Sequence, residues 1–383
     1  MSAMSERDRI LSLAAVILAA FGVGLSFGVG LPLTSLTLEA WQQPNWIIGL
    51  AGAAPSLSIL IFLPLLPRLA ARLGAVPAML LGCLIGALGF IALYLFQSPE
   101  AWIAIRFVMS AGLALPWLVG ETWMNSVSSE EARGRIVAIY AISFFTGFLT
   151  GPVLLGYSGI TGVVPFVVGA CGTALAGVPI VLAARLAPDL VQHKSISVLL
   201  AFRLAPIGMA GGLLGGFAEM SYFSLLPNVA LAAGLDQSQA LGLLSLLTAG
   251  GIVLQFAIGW LADKVSRVSI TAGLTIAMLM LSAMLPWALG GPIAGPVVAF
   301  LLGGIILGFY TIGLVVIGTE VTARDLTAAN AAFLIMYQVG AIAGPVLSGA
   351  AMMIAPVGGF VATVSAAMVL GTLGVLRLAR GRR

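Results

Sequence analysis

GFLTGPVLLG, residues 147–156, returns near the end of the chain as GAIAGPVLSG, residues 340–349, an offset of 193. A second pair, PRLAARLG at 67–74 and GWLADKVS at 259–266, is offset by 192, half of the 383-residue chain. Two independent landmarks agree on one repeat length, so the sequence reads as a duplicated architecture. Its halves are residues 1–184 and 204–383, joined by RLAPDLVQHKSISVLLAFR at 185–203. This joint is the longest polar stretch and holds the one histidine, His193, which reads as a solvated linker residue.

Composition says what the halves are made of. The chain is 61% apolar and 8% charged, with a mean hydropathy of +1.15. Soluble domains carry about 25% charged residues, so a soluble fold is excluded. The apolar residues fall into twelve runs long enough to cross a bilayer, at 10–35, 46–66, 76–97, 101–124, 135–157, 163–184, 205–230, 239–261, 269–289, 295–319, 329–352 and 357–378. A spanning helix needs roughly 20 apolar residues. Spanning strands are shorter and alternate, so these runs predict helices. The expectation is an all-α membrane protein of two pseudo-symmetric six-helix halves.

Orientation follows from Lys and Arg. With the N-terminus inside, sixteen of the seventeen basic residues fall in inner loops or at the termini, and the outer loops hold only Glu39, Glu100 and Asp236. That asymmetry predicts cytoplasmic N and C termini. The net charge of +4 and pI of about 9.4 then point to anionic lipid and not to nucleic acid. Cys83 and Cys171 fall in separate spans, and no disulfide is expected. The first run is too long for a signal peptide and is kept as the first span.

The loop GWLADKVSR, 259–267, resembles the G-x-L-a-D-[RK]-x-G-[RK] signature of the major facilitator superfamily. It supplies Gly259, Asp263, Lys264 and Arg267, with Ser266 in place of the usual glycine. The first-half copy has Pro67 and Ala71 where Gly and Asp belong, and retains Arg72 and Gly74. Within the superfamily, residues 106–140 resemble the YcaD-type group of bacterial carriers through Arg106–Phe107, through Glu121, Trp123 and Asn125, and through Arg133–Gly134–Arg135. AANAAFLIMYQVGAIAGP, 328–345, fits the same group. The resemblance covers the whole chain. It implies the major facilitator fold, a multi-pass place in the bacterial cytoplasmic (inner) membrane, and a central cavity lined by the first, fourth, seventh and tenth spans. Gly147, Gly151 and Pro152, with Gly340, Gly344 and Pro345, resemble the superfamily's antiporter motif. Because both halves carry it, close helix packing is the first reading and antiport the second. Gly24/Gly28 and Gly211/Gly215 read as packing pairs too.

Charges at bilayer depth are costly and mark pathways, relays or pairs. Arg106, Ser110, Leu113, Trp117 and Glu121 step by 4, 3, 4 and 4, which places them on one stripe of the fourth span. Arg106 near the outer end reads as a group that handles substrate or protons. Glu121 near the inner end reads as a gate partner of Arg72, Arg133 or Arg135, or as a cargo ligand. Glu320 reads as a second gate acid beside Lys264 and Arg267. Glu219 stands alone in an uncharged run close to the middle of the seventh span, with Tyr222 expected on its face. A carboxylate there suits proton or cargo binding. Tyr310, Asn330, Tyr337 and Gln338, with Tyr140 and Ser143, are softer candidates, expected to bond backbone.

These residues predict a secondary active transporter that works by alternating access, proton-coupled, exporting a small amphipathic or cationic molecule by antiport. Proton symport, uniport and a non-transporting membrane sensor are the alternatives. No phosphate-binding loop, metal cluster or nucleophile–base pair is legible, so neither a cofactor nor an enzyme activity is expected. The expected partners are a small-molecule substrate, protons and the lipid bilayer, and the chain is expected to function as a monomer.

Overall fold

The computed structural model describes residues 5–129, 132–188, 205–262, 264–321 and 326–380. Its regular structure is helical throughout. The first half comprises α1 (Glu6–Ala40), α2 (Asn45–Phe62), α3 (Leu66–Leu73), α4 (Ala75–Leu95), α5 (Pro99–Val127), α6 (Arg133–Ser158), α7 (Val164–Leu175) and α8 (Gly177–Leu182). The second comprises α9 (Pro206–Ala232), α10 (Gln237–Ala262), α11 (Arg267–Ala288), α12 (Ala294–Glu320), α13 (Leu326–Met352) and α14 (Pro356–Arg380). The joining segment lies mostly outside the described residues.

Helix ends follow local chemistry. Ser98 accepts from the Ala101 amide at 3.2 Å and Pro99 fills the first turn of α5. Ser266 caps α11 in the same way, accepting from the Ser269 amide at 3.2 Å. Between α3 and α4, Gly74 adopts φ +87°, a conformation that side chains rarely take. The loop PRLAARLG is thus itself a short helix, with Leu66 and Ala70 buried beneath it.

Among the described residues, eleven helical segments are long and apolar enough to cross a membrane, not the expected twelve. The missing one is α9. At 27 residues it is long enough, but Glu219, Ser221, Tyr222, Ser224 and Asn228 dilute its apolar character. Twenty of its residues are buried, because α10, α12, α13 and α14 all pack against it. A helix enclosed by other helices need not be greasy. By contrast, residues such as Leu84, Leu88, Leu182 and Leu370 are exposed, as a lipid-facing surface requires.

The chain divides into two compact units, one of residues 1–33 and 61–193, the other of 34–60 and 194–383. One division thus falls inside the joining segment. The other does not follow the sequence repeat, since residues 34–60 pack with the second unit. Close contacts hold them there. Asn228 bonds Ser35 and Glu39, Gly49 lies against the Pro345 carbonyl, and Gly349 lies against the Asn45 carbonyl.

Each unit contains a glycine seam of matching build. In the first, Gly24 and Gly28 of α1 meet Phe144 and Phe148 of α6, while Gly147 and Gly151 of α6 meet Phe21 and Gly28 in return. In the second, Gly216 of α9 meets the Tyr337 carbonyl, and Gly340 and Gly344 of α13 meet the carbonyls of Leu213 and Phe217. A Cβ at any of these positions would collide with backbone, which has nowhere to move. The expected pair Gly211/Gly215 is one residue out of register: Gly212 and Gly216 form this seam, whereas Gly211 has nothing nearer than 3.7 Å. Gly215 faces α12 instead, against Phe309.

Candidate functional site

The seam in the second unit builds the most chemically loaded place among the described residues. Glu219 lies 13 residues from each end of Pro206–Ala232 (219 − 206 = 13; 232 − 219 = 13). At 1.5 Å per residue it is about 20 Å from either end. One turn before it, Gly215 and Gly216 let α12 and α13 close in, each bringing a tyrosine. The Tyr337 hydroxyl donates to the Glu219 carboxylate. The Tyr310 ring meets that of Tyr337 edge-on, with centroids 5.5 Å apart and planes at 86°. Tyr310 also packs against Phe333, with ring centroids 5.3 Å apart. Glu219, Tyr310 and Tyr337 are all partly exposed, although Gly215–Ala218 just before are buried. Glu219 forms no ion pair among the described residues.

Tyr222 does not join this group. Its hydroxyl donates to Ser282 of α11 at 2.9 Å and its ring stands edge-on to Phe360 of α14 at 4.9 Å. Spacing of three residues suggested a shared face, but the 60° between them suffices to send the two side chains to different neighbours. The tyrosine that serves Glu219 comes from α13. Tyr337 was expected to bond backbone, and only the helix seam reveals its partner. Tyr140 and Ser143 do bond backbone, reaching the carbonyls of Trp117 at 3.5 Å and Ile17 at 2.7 Å.

The stripe on α5 separates into unlike environments. Arg106 is fully buried in the first unit, its guanidinium packed against Gly30 of α1, and its three nitrogens have no hydrogen-bond partner among the described residues. Gly30 is required there, since a Cβ would collide with the guanidinium. Ser110 donates to the Arg106 carbonyl at 2.8 Å, within its own helix. Leu113 turns to Gly86 of α4. Trp117 and Glu121 remain partly exposed, and the Trp117 indole N–H donates to the Glu121 carboxylate at 2.9 Å. The acid is thus bound one turn back along its own helix, and none of Arg72, Arg133 and Arg135 reaches it among the described residues. All three are exposed.

Of the loop 259–267, Asp263 lies outside the described residues, as do the side chains of Arg267 and Glu320. Lys264 is exposed and its ammonium sits 3.7 Å over the Trp260 ring, a cation–π contact. Gly259 has open space around it. Among the described residues the ion pair is Arg185 with Asp8, at 3.7 Å and solvent-exposed.

Helical bundles with buried charges are common to many membrane proteins, and comparison with known families is decisive here. The family model of the Major Facilitator Superfamily matches residues 11–345. The chain belongs to the major facilitator superfamily. YfkF of Bacillus subtilis (strain 168), an uncharacterized MFS-type transporter, is 26% identical over 337 residues, covering 85% of each chain. YcaD of Escherichia fergusonii, likewise uncharacterized, is 28% identical over 325 residues, covering 82% of this chain and 81% of its own. Among solved structures, the nucleoside transporter NupG superposes with a TM-score of 0.77 at 16% identity, covering 97% of this chain and 98% of its own. A bacterial homologue of the human lysosomal transporter Spinster, inward-facing and unoccupied, gives 0.75 at 15% identity, covering 97% and 96%. At such identity these structures show the fold alone. As a major facilitator protein the chain is a multi-pass membrane transporter and not an enzyme.

Proposed function

We propose that this major facilitator protein is a secondary active transporter of a small organic solute, working by alternating access and driven by protons, with export by antiport as the direction. The observation that carries the reading is Glu219: one carboxylate at the centre of α9, without a basic partner among the described residues, held by a single phenolic donor. A carboxylate so placed gains most by taking up a proton or a cationic ligand, and releases it when the surroundings change. Arg106 supports the same reading from the other unit. A buried guanidinium without an acceptor is destabilising, and an acceptor supplied in another conformational state, or by cargo, relieves it. Trp117 and Glu121, partly exposed toward one end of α5, complete the proposed pathway.

The loop 259–267, with Arg72, Arg133, Arg135 and Glu320, is assigned to a cytoplasmic gate, and both termini to the cytoplasmic side of the inner membrane. The enclosure of α9 by neighbouring helices supports counting it as the twelfth span. The glycine seams support the packing reading of the helix motif over a direct role in antiport. A monomer carries the complete proposed site.

The test is transport in proteoliposomes, with a solute panel offered with and without an inward-acid gradient. Wild type is expected to accumulate or release its solute with the gradient, and Glu219→Gln to lose that response. Full pH dependence in Glu219→Gln would remove Glu219 from the proton path.

A further inference from the structure

We infer that the Glu219 site takes a monovalent organic cation, held by the carboxylate and by the rings of Tyr310 and Tyr337. This deepens the carrier reading above and rests on it. The Tyr337 hydroxyl occupies one acceptor position, whereas a carboxylate offers about four. Glu219 and both tyrosines are partly exposed, and the remaining positions are assigned to the ligand.

The surroundings select the sign of that ligand. Of the helices packed on α9, α10 carries no titratable side chain, α11 has Arg267 only in its first turn, and α14 has Arg377 and Arg380 only at its far end. Within the membrane, α12 contributes Tyr310 and α13 contributes Tyr337, with Glu320 at the end of α12. From the segment 34–60, Glu39 lies at the end of α1 and is bonded to Asn228. No described cation of the second unit faces Glu219, so an anionic ligand has no counter-charge there. A neutral ligand leaves the charge unmatched.

The surroundings also select its size and type. A hard divalent ion seeks six or more oxygen ligands, but here there is one carboxylate with two phenols. Phe333 packs against Tyr310 with ring centroids 5.3 Å apart, so the surroundings of the rings favour an apolar body around the charge. Aromatic rings attract such cations at their faces. A proton and the cation meet at one carboxylate, so each excludes the other, and cation binding weakens as pH falls.

The experiment uses the purified full-length protein in detergent, with tetraphenylphosphonium and the smaller tetraethylammonium as probes and tetraphenylborate as the anionic isostere. At least one cation is expected to bind saturably, more weakly at acid pH, and tetraphenylborate is not. Glu219→Gln and Tyr337→Leu are expected to weaken binding by about tenfold or more, while Tyr337→Phe, which keeps the ring, stays within about threefold. Glu219→Asp, with an unchanged elution profile, guards against misfolding and is expected to keep cation preference. Binding of neither cation, or equal binding of the borate, overturns the inference, as does wild-type affinity in Glu219→Gln. An infrared pH-step measurement separates the two proposals. A protonated-carboxyl band lost in Glu219→Gln, without cation preference, sinks the cation and keeps the proton site; absence of the band in wild type sinks the proton reading.

Discussion

Asn228 of α9 donates from Nδ2 to the Ser35 carbonyl at 3.2 Å and to the Glu39 carboxylate at 3.0 Å, joining the last turn of α1 to the helix that carries Glu219. Asn228 is 1% exposed, so its loss removes a buried donor that serves both the Ser35 carbonyl and the Glu39 carboxylate. Such a loss costs about 1–3 kcal/mol. Asn228→Ala is therefore expected to lower the thermal midpoint and to loosen this end of α1. In a background without Cys83 and Cys171, Ser35→Cys should react faster with a maleimide when Asn228 is replaced. Unchanged labelling would show that the neighbouring glycine contacts suffice.

The two glycine pairs on α9 give opposite signs for one substitution. Gly211→Ala has room and gains helix propensity, so stability should hold or rise by up to about 1 kcal/mol. Gly216→Ala drives a methyl into the Tyr337 carbonyl and should cost about 1–3 kcal/mol. Thermal melts of the purified variants decide it, and equal melts would mean that α9 and α13 are not in close contact.

Arg106 separates stability from transport. Arg106→Met keeps the length of the side chain and removes a buried charge without a hydrogen-bond partner. Its stability should equal or exceed that of wild type, by up to about 4 kcal/mol. Transport should fall by about tenfold or more, a barrier change of about 1.4 kcal/mol. Wild-type transport rates in Arg106→Met would leave Arg106 a structural residue.

Tyr222→Phe removes one buried hydroxyl bond, to Ser282, and is expected to cost about 1 kcal/mol of stability. Because its ring faces α11 and α14, the pH profile of transport should not move. A shifted profile would connect Tyr222 to the pathway after all.

Glu121→Gln keeps an oxygen for the Trp117 indole N–H and removes the charge. Folding should be unchanged, and any fall in transport then reports the charge. Trp117→Phe deletes the donor and frees the carboxylate. If both variants transport like wild type, the partly exposed end of α5 lies off the solute path.

Run length and the repeated GFLTGPVLLG and GAIAGPVLSG segments were enough to read a duplicated helical membrane protein, because each depends on the bilayer or on internal repetition and not on which helices touch. The same information placed Glu219 in mid-helix. What surrounds it was not legible. Tyr337 lies more than a hundred residues away, and its meeting with Glu219 depends on Gly215 and Gly216 admitting two other helices. Periodicity grouped Tyr222 with Glu219 and placed Arg106 on one stripe with Glu121. A helix wrapped on every side by neighbours has no single inward face, so residues 60° apart found different partners. Only packing in three dimensions decides such pairings, because contact depends on where backbones approach closely, and that is set by the shapes of both helices at once.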